Sequence, residues 1–95
     1  MATPLPPPGD PFDARAAYQL GRALQVSGQA YRAIAAYEHT VDLRPDHFPA
    51  LRSLAALYQQ KGFRRKAAEA WERALPAAPD DETREKIRQS LMDLL

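Results

Sequence analysis

The chain of 95 residues contains no cysteine and has almost no net charge, with 13 basic against 12 acidic side chains. Without cysteine, disulfides, thiolate nucleophiles and thiolate metal sites are excluded. A net charge near zero provides no strong field to recruit nucleic acid or an anionic membrane. No apolar run approaches the roughly 20 residues of a membrane span, and the N-terminus lacks the pattern of a secretory signal. We therefore expect one small cytoplasmic domain.

Residues suited to catalysis are also scarce. The two histidines, His39 and His47, have no converging partners at the spacing that metal binding or acid–base chemistry requires. The glycines at Gly21 and Gly28 are explained by packing and capping, so they do not indicate a phosphate-binding loop. The sequence predicts no metal, no cofactor and no enzymatic activity. The single basic cluster, at 64–66, lacks the interleaved aromatics of a base-stacking surface, so nucleic-acid binding is not expected.

The first ten residues are rich in proline and include the segment TPLPPPGD at positions 3–10. This composition predicts a flexible leader over 1–10, with a short polyproline ligand or an arm packed on the domain as alternatives. Asp10 followed by Pro11 resembles a helix N-cap and first helical residue. We therefore expect the domain to occupy 11–95 and its first helix to begin near this pair.

The dominant feature of the rest of the chain is an internal repeat with a period of 34 residues. Shifting the sequence by that length matches Leu20 with Leu54, Gly28 with Gly62, Ala33 with Ala67, and Pro45 with Pro79. Tyr37 falls opposite Trp71, so large residues also meet large ones. A fixed period of this length indicates stacked copies of one supersecondary unit.

Each unit is predicted to form two packed helices, over about 14–47 and 48–81. In the first helix, residues at three- and four-residue spacing form an expected core face of Ala17, Leu20, Gly21 and Leu24. Gly28 provides the left-handed backbone of a C-cap. Pro45 closes the second helix, and Asp46 is expected to cap the next one. The small residues Gly21 and Ala55 would allow a neighbouring helix to approach closely.

These residues resemble the tetratricopeptide repeat, whose units carry a leucine–small pair, an alanine, an aromatic, a small residue and a proline. The first unit supplies Leu20-Gly21, Leu24, Ala33, Tyr37, Thr40 and Pro45; the second supplies Leu54-Ala55, Tyr58, Ala67, Trp71, Ala74 and Pro79. The family's aromatic after the loop glycine is displaced, because Ala30 and Arg64 occupy its places beside Tyr31 and Phe63. The resemblance implies an all-α solenoid of two helix-turn-helix repeats.

The segment after Pro79 predicts a capping helix over about 81–95. Asp80 and Asp81 suit a helix N-terminus, while Ile87, Leu91 and Leu94 fall on one face. Stacked repeats require such a terminal helix with a polar outer side. Its last residues, Leu94 and Leu95, also offer a surface for self-association.

The resemblance further implies a concave groove, lined by the first helix of each unit, in which peptides or partner helices bind. The residues expected in this groove are Arg15, Tyr18, Gln19, Arg22, Gln25, Arg52, Gln59 and Lys86. The period places them in rows such as Tyr18, Arg52 and Lys86. Arginine grips carboxylates with two hydrogen bonds, so this surface suits an acidic peptide or a C-terminal carboxylate. Ordinary solvated arginines are the alternative explanation.

The chain contains no asparagine, so it lacks the lysine–arginine–asparagine clamp with which some relatives hold the C-terminus of chaperones. Two hypotheses follow from the sequence. The first is a non-catalytic adaptor that binds another protein or peptide, in a bacterial assembly suggested by the arginine- and alanine-rich composition. The second is a structural element that forms homodimers through its cap helix. An enzyme or nucleic-acid binder is the weak third.

Overall fold

The computed structural model of the chain describes residues 12–95, and the predicted leader at 1–10 lies outside this range. The described residues form five α-helices and no strand, which confirms the all-α prediction. The helices are α1 (Ala14–Val26), α2 (Ala30–Leu43), α3 (Phe48–Gln60), α4 (Arg64–Ala74) and α5 (Asp81–Asp93), with a 3₁₀ turn at Leu75–Ala77 between the last two. No helix in the described part is long and apolar enough to cross a membrane.

Packing follows the order of the chain. Helix α1 packs along α2, and α3 packs along α4, so each sequence unit is one helix pair. The second pair stacks on the first through α2 and α3, and α5 packs on α4 and the 3₁₀ turn. Each element thus touches mainly its neighbours along the chain, which is the arrangement of a helical solenoid.

The turn inside each pair is closed in the same way in both units. Gly28 and Gly62 adopt φ angles of +80° and +82°, the left-handed region that glycine occupies without strain. The amide of the following residue then reaches back to the helix, with Gln29 N donating to Leu24 O at 2.9 Å and Phe63 N donating to Tyr58 O at 2.8 Å. The predicted glycine C-caps are confirmed.

The small residues mark where helices approach each other closely. Ala33, Ala55 and Ala67 are fully buried. At Gly21, a Cβ atom would lie 2.6 Å from the Cδ1 atom of Tyr37. Because Tyr37 is itself fully buried, its ring has little room to move away. Gly21 therefore admits the aromatic ring of α2 against α1.

Two helix starts differ from the sequence prediction. Helix α1 begins at Ala14 rather than near Asp10–Pro11, because the Asp13 carboxylate accepts the Arg15 amide at 3.0 Å and so acts as its N-cap. Helix α3 is capped by His47, whose Nδ1 accepts the Ala50 amide at 3.1 Å, and not by Asp46. Asp46 lies one residue too far from the helix start.

The prediction that Leu20 belongs to the core face of α1 is also wrong. Its side chain is 54% exposed, whereas Leu54, one period later, is only 4% exposed. The remaining members of that face, Ala17, Gly21 and Leu24, are buried. Leu54 lies where the second unit stacks on α2, and within the described residues no earlier unit stacks on Leu20.

The displaced loop aromatics pack against each other instead of occupying the family's usual place. The rings of Tyr31 and Phe63 lie 6.5 Å apart in an edge-to-face arrangement, and Phe63 also meets Tyr58 at 6.3 Å. Edge-to-face contacts at these distances are favourable. The altered pattern therefore joins the turns of the two units.

The last helix caps the stack as predicted. Asp80 accepts the Thr83 amide at 2.8 Å and so caps α5. Ile87 is buried, while Leu91 and Leu94 pack partly buried against the core. The end of α5 is tied to α4 because the Arg64 guanidinium donates to the Leu94 carbonyl at 2.6 Å.

Candidate functional site

A groove of about 460 Å³ lies where α1, α2 and α3 meet. We call it the α1–α3 groove, and its lining residues are Tyr18, Arg22, Gln25, Val26, Tyr37, Arg52 and Ser53. Four of these, Tyr18, Arg22, Gln25 and Arg52, are among the eight predicted groove residues. The structure thus brings together side chains from both repeat units at one surface.

An aromatic wall forms one part of the groove. The half-buried Tyr18 ring lies 5.7 Å from the ring of Tyr37 and 4.9 Å from the imidazole of His47, tilted in both cases. His47 is fixed in turn by its hydrogen bond to the Ala50 amide. Burial lowers the pKa of His47, which keeps the imidazole neutral and able to accept this bond at neutral pH. Tyr18 therefore presents a flat surface with a fixed support.

Two of the three predicted glutamines, Gln25 and Gln59, each accept a hydrogen bond from a buried aromatic residue. The Tyr37 hydroxyl donates to Gln25 Oε1 at 2.7 Å, and Trp71 Nε1 donates to Gln59 Oε1 at a longer 3.4 Å. In both units the glutamine precedes the aromatic by 12 residues, so the contact repeats with the period. Burial raises the pKa of Tyr37, which keeps it a hydroxyl donor. The amide nitrogen of Gln25 is not used in this bond and remains a donor at the groove.

The cations of the site differ in whether they are already paired. Arg15 lies 3.8 Å from the Asp13 carboxylate, and Lys86 lies 3.4 Å from Glu82. Within residues 12–95, neither Arg22 nor Arg52 has a carboxylate at ion-pair distance, and both line the groove. The Arg52 guanidinium lies 5.8 Å above the Phe48 ring, which orients it. Arg22 and Arg52 are therefore the charges that a ligand in the groove would meet.

The other predicted residues lie outside this lining. Arg15 and Gln19 are exposed on α1, Gln59 lies on α3 beside Trp71, and Lys86 is exposed on α5. Whether these four contact a ligand stays a prediction. Val26 and Ser53 were not expected in the groove, and neither was the aromatic support from Tyr37 and His47. Helical spacing offered a signal for Val26, because it follows Arg22 by four residues and so shares its face.

A second cleft, of about 330 Å³, separates α2 from α4. Its rim carries charges of both signs, with Glu38, Asp42 and Glu69 facing Lys66 and Arg73. One pair of its polar groups is joined within the cleft, since the Tyr58 hydroxyl donates to Glu38. Burial and the Glu38 carboxylate both raise the pKa of Tyr58, so this hydroxyl stays protonated. The α1–α3 groove contains four of the eight predicted residues and the α2–α4 cleft contains none, so the groove is the better candidate site. The described residues hold no cluster of metal-binding side chains.

No family model matches the sequence, and no curated protein is significantly similar to it. In three dimensions the chain is similar to the type III secretion translocator chaperone SycD of Yersinia enterocolitica, with a TM-score of 0.79 at 21% identity, over 90% of this chain and 61% of that one. A structure of SycD in complex with a peptide of the translocator YopD gives a TM-score of 0.78 at 21% identity, over 90% and 68% of the two chains.

A tetratricopeptide repeat domain protein from Salinibacter ruber is also similar, with a TM-score of 0.75 at 20% identity, over 90% of this chain and 89% of that one. At these identities the likeness concerns the fold. The chain has a tetratricopeptide-like helical-repeat fold, as its residues predict, and it spans about 61% of the length of the SycD chain.

Proposed function

We propose that this protein is a non-catalytic adaptor that binds an acidic segment of a partner protein in the α1–α3 groove. The observation that carries the proposal is the pair of arginines, Arg22 and Arg52, which line the groove beside the aromatic wall and have no carboxylate at ion-pair distance among residues 12–95. An acidic side chain or a C-terminal carboxylate would supply the missing charge. The proposed setting is a cytoplasmic bacterial assembly.

The groove suits an extended peptide. Each guanidinium has five donors in a planar fork and binds a carboxylate through two parallel hydrogen bonds. Tyr18 offers a flat apolar face, and Val26, which is 87% exposed, offers an aliphatic one. The Gln25 amide nitrogen remains to donate to a peptide carbonyl. Charged, polar and apolar side chains thus line the same groove.

The similarity to SycD supports this proposal, because that chaperone has been captured with a peptide of YopD. The similarity concerns folds with low sequence identity, so it supports peptide binding in general. The acidic character of the ligand rests on the side chains of this chain alone.

The proposal is tested with fluorescently labelled acidic peptides, each made with a free and an amidated C-terminus, and with lysine-substituted versions as negative probes. Binding is measured by fluorescence anisotropy at two salt concentrations. We expect the acidic peptides to bind and to weaken with salt, because the contacts are solvent-accessible ion pairs. A preference for the free C-terminus would identify the terminal carboxylate as the recognised group.

The decisive variant is Arg22→Glu with Arg52→Glu. A charge-assisted hydrogen bond contributes roughly 1.5–3 kcal/mol, so losing both arginines should weaken binding by about a hundredfold or more. Arg65→Glu with Arg88→Glu is the matched control, since both residues are exposed and lie outside the groove. Equal binding by the two double variants would refute the groove assignment and favour ordinary solvated arginines.

A further inference from the structure

A stripe of small and apolar residues lies on α1 outside the lining of the α1–α3 groove. Three residues form it, Ala16, Leu20 and Ala23, and we call them the α1 edge stripe. All three are at least partly exposed, and Leu20 is 54% exposed. Their counterparts one period later on α3 are Ala50, Leu54 and Leu57, which are 0%, 4% and 3% exposed.

The internal repeat shows what kind of surface this is. On α3 the same three positions are buried, and α3 packs on α2 of the preceding unit as well as on α4. On α1, where no preceding unit packs among the described residues, the three residues are alanine, leucine and alanine. The stripe therefore has the composition of a helix–helix contact.

The two ends of the stack differ in charge. Helix α5 places charged residues on its exposed side, among them Arg84, Glu85 and Arg88. Helix α1 carries only two charges, Arg15 and Arg22, and Arg22 lines the groove rather than the edge. A solenoid end that meets water normally has a polar outer face. Among the described residues, the α1 edge stripe contains no charged side chain.

We propose that the α1 edge stripe is a homodimer interface in which α1 of one protomer packs antiparallel on α1 of its partner. The stripe is self-complementary under a two-fold axis near Leu20. Antiparallel pairing places Ala16 opposite Ala23 of the partner, and brings the two copies of Leu20 side by side. Small residues at both ends let the helix axes approach, with leucine filling the middle, as an isologous contact requires.

The absence of charge favours a second copy over a charged partner. Neither protomer brings a charged residue into the stripe, so pairing desolvates no unpaired charge. One stripe on a helix of 13 residues is a small contact, about 20 Å long. We therefore expect a weak dimer that forms with rising concentration. This surface differs from the cap-helix end expected from the sequence, where Leu94 is partly buried and its carbonyl is bonded to Arg64.

The cysteine-free chain permits a direct geometric test by single-cysteine cross-linking. In the full chain, Leu20→Cys should form a disulfide-linked dimer under mild oxidation, because two-fold pairing brings the sulfurs within reach. The matched control is Val26→Cys on the same helix, which is more exposed at 87% but lies in the groove. Val26→Cys should remain largely monomeric. Equal cross-linking of the two variants would mean random collision and would overturn the proposal.

The antiparallel direction has its own test. In antiparallel pairing, position 16 lies opposite position 23 of the partner. We therefore expect Ala16→Cys alone and Ala23→Cys alone to form few disulfide-linked dimers, and a mixture of the two variants to form the disulfide between positions 16 and 23. Strong self-linking of Ala16→Cys would indicate parallel pairing and contradict the proposed axis. If Leu95→Cys forms disulfide-linked dimers efficiently and Leu20→Cys forms none, the interface lies at the cap helix and the proposal is wrong.

Sedimentation velocity over a concentration series tests the same interface without oxidation. Leu20→Asp should weaken dimerisation at least about tenfold, because each interface would lose two buried leucines. Val26→Asp should leave it unchanged, and circular dichroism should show both variants folded. A wild-type protein that stays monomeric at millimolar concentration would overturn the proposal. Maleimide labelling gives a further check. If the thiol of Leu20→Cys does not react while that of Val26→Cys does, another part of the chain covers the stripe, and the proposal is overturned.

Discussion

At the residue scale, the protein depends on a few contacts between an aromatic and a small or polar partner. Gly21 provides space for the Tyr37 ring, and the hydroxyl of the same tyrosine is held by Gln25. Tyr37 in turn contacts Tyr18, so the contact that closes α1 on α2 also supports the groove wall. The same residue therefore serves both packing and the proposed binding site.

Gly21→Ala is expected to destabilise the protein despite the better helix propensity of alanine. Propensity alone would add about 1 kcal/mol of stability. The new Cβ would meet the ring of Tyr37 at 2.6 Å, and overpacking of this kind costs about 1–3 kcal/mol. Urea unfolding should show a net loss, and the loss should shrink in a Tyr37→Leu background, where the ring is absent. A more stable Gly21→Ala variant would contradict the close approach.

At the scale of single helices, local capping interactions determine where each helix begins and ends, and the sequence pattern predicts only some of them. The glycine turns repeat with the period, whereas the N-caps do not, since Asp13, His47 and Asp80 cap three helices with two kinds of side chain. The His47 cap has a consequence for pH, because an imidazole can accept the Ala50 amide only while it is neutral.

The stability of the fold should therefore fall in mild acid. Burial lowers the pKa of folded His47 below its usual value near 6.5, so the unfolded chain takes up a proton first as pH falls. The contribution of His47 is complete above pH of about 6.5 and is lost as pH falls from there through the folded pKa. Thermal unfolding between neutral and mildly acidic pH measures it.

His47→Asn is the control for this pH effect. Asparagine also caps helices but does not titrate in this range. The variant should lose the part of the acid sensitivity that His47 causes and keep the part that carboxylates cause. An unchanged pH profile in His47→Asn would show that the cap does not couple to pH.

At the scale of the whole molecule, stability comes from neighbour contacts along the stack. The five helices pack in the same order as they occur in the sequence. A substitution that destabilises one end of the stack should therefore affect mainly the neighbouring helices. The two ends are unequal, because α5 covers α4 while the α1 edge stripe has no cover in the described part of the chain.

Ile87→Ala tests how far the cap supports the stack. Ile87 is the one fully buried residue of α5 and is 2% exposed, so removing its side chain should cost about 2–5 kcal/mol. Hydrogen exchange followed by mass spectrometry should show the largest loss of protection in α5 and α4, with α1 least affected. Leu95→Ala is the control, since Leu95 is 97% exposed. Uniform loss over all helices would instead indicate one cooperative unit.

Much of this architecture follows from the sequence because its signals are local. The 34-residue period, the turn glycines Gly28 and Gly62, and the small residue at Gly21 each specify a feature that depends on a few neighbouring positions. Part of the candidate site follows as well, since Tyr18, Arg22, Gln25 and Arg52 were expected in the groove and line one cavity. Their role in binding remains a prediction.

Burial and pairing were decided by the tertiary structure alone. Leu20 and Leu54 occupy the same position of the repeat, yet only Leu54 is buried, because burial requires a neighbouring helix and local sequence does not encode which unit lacks one. Likewise, Arg22 and Arg52 lie on helices of different units, and only the packing of these units brings both to one groove, with no carboxylate at ion-pair distance among residues 12–95. The sequence determined the helices and their period, whereas the folded arrangement determined which faces and charges stay available to a partner.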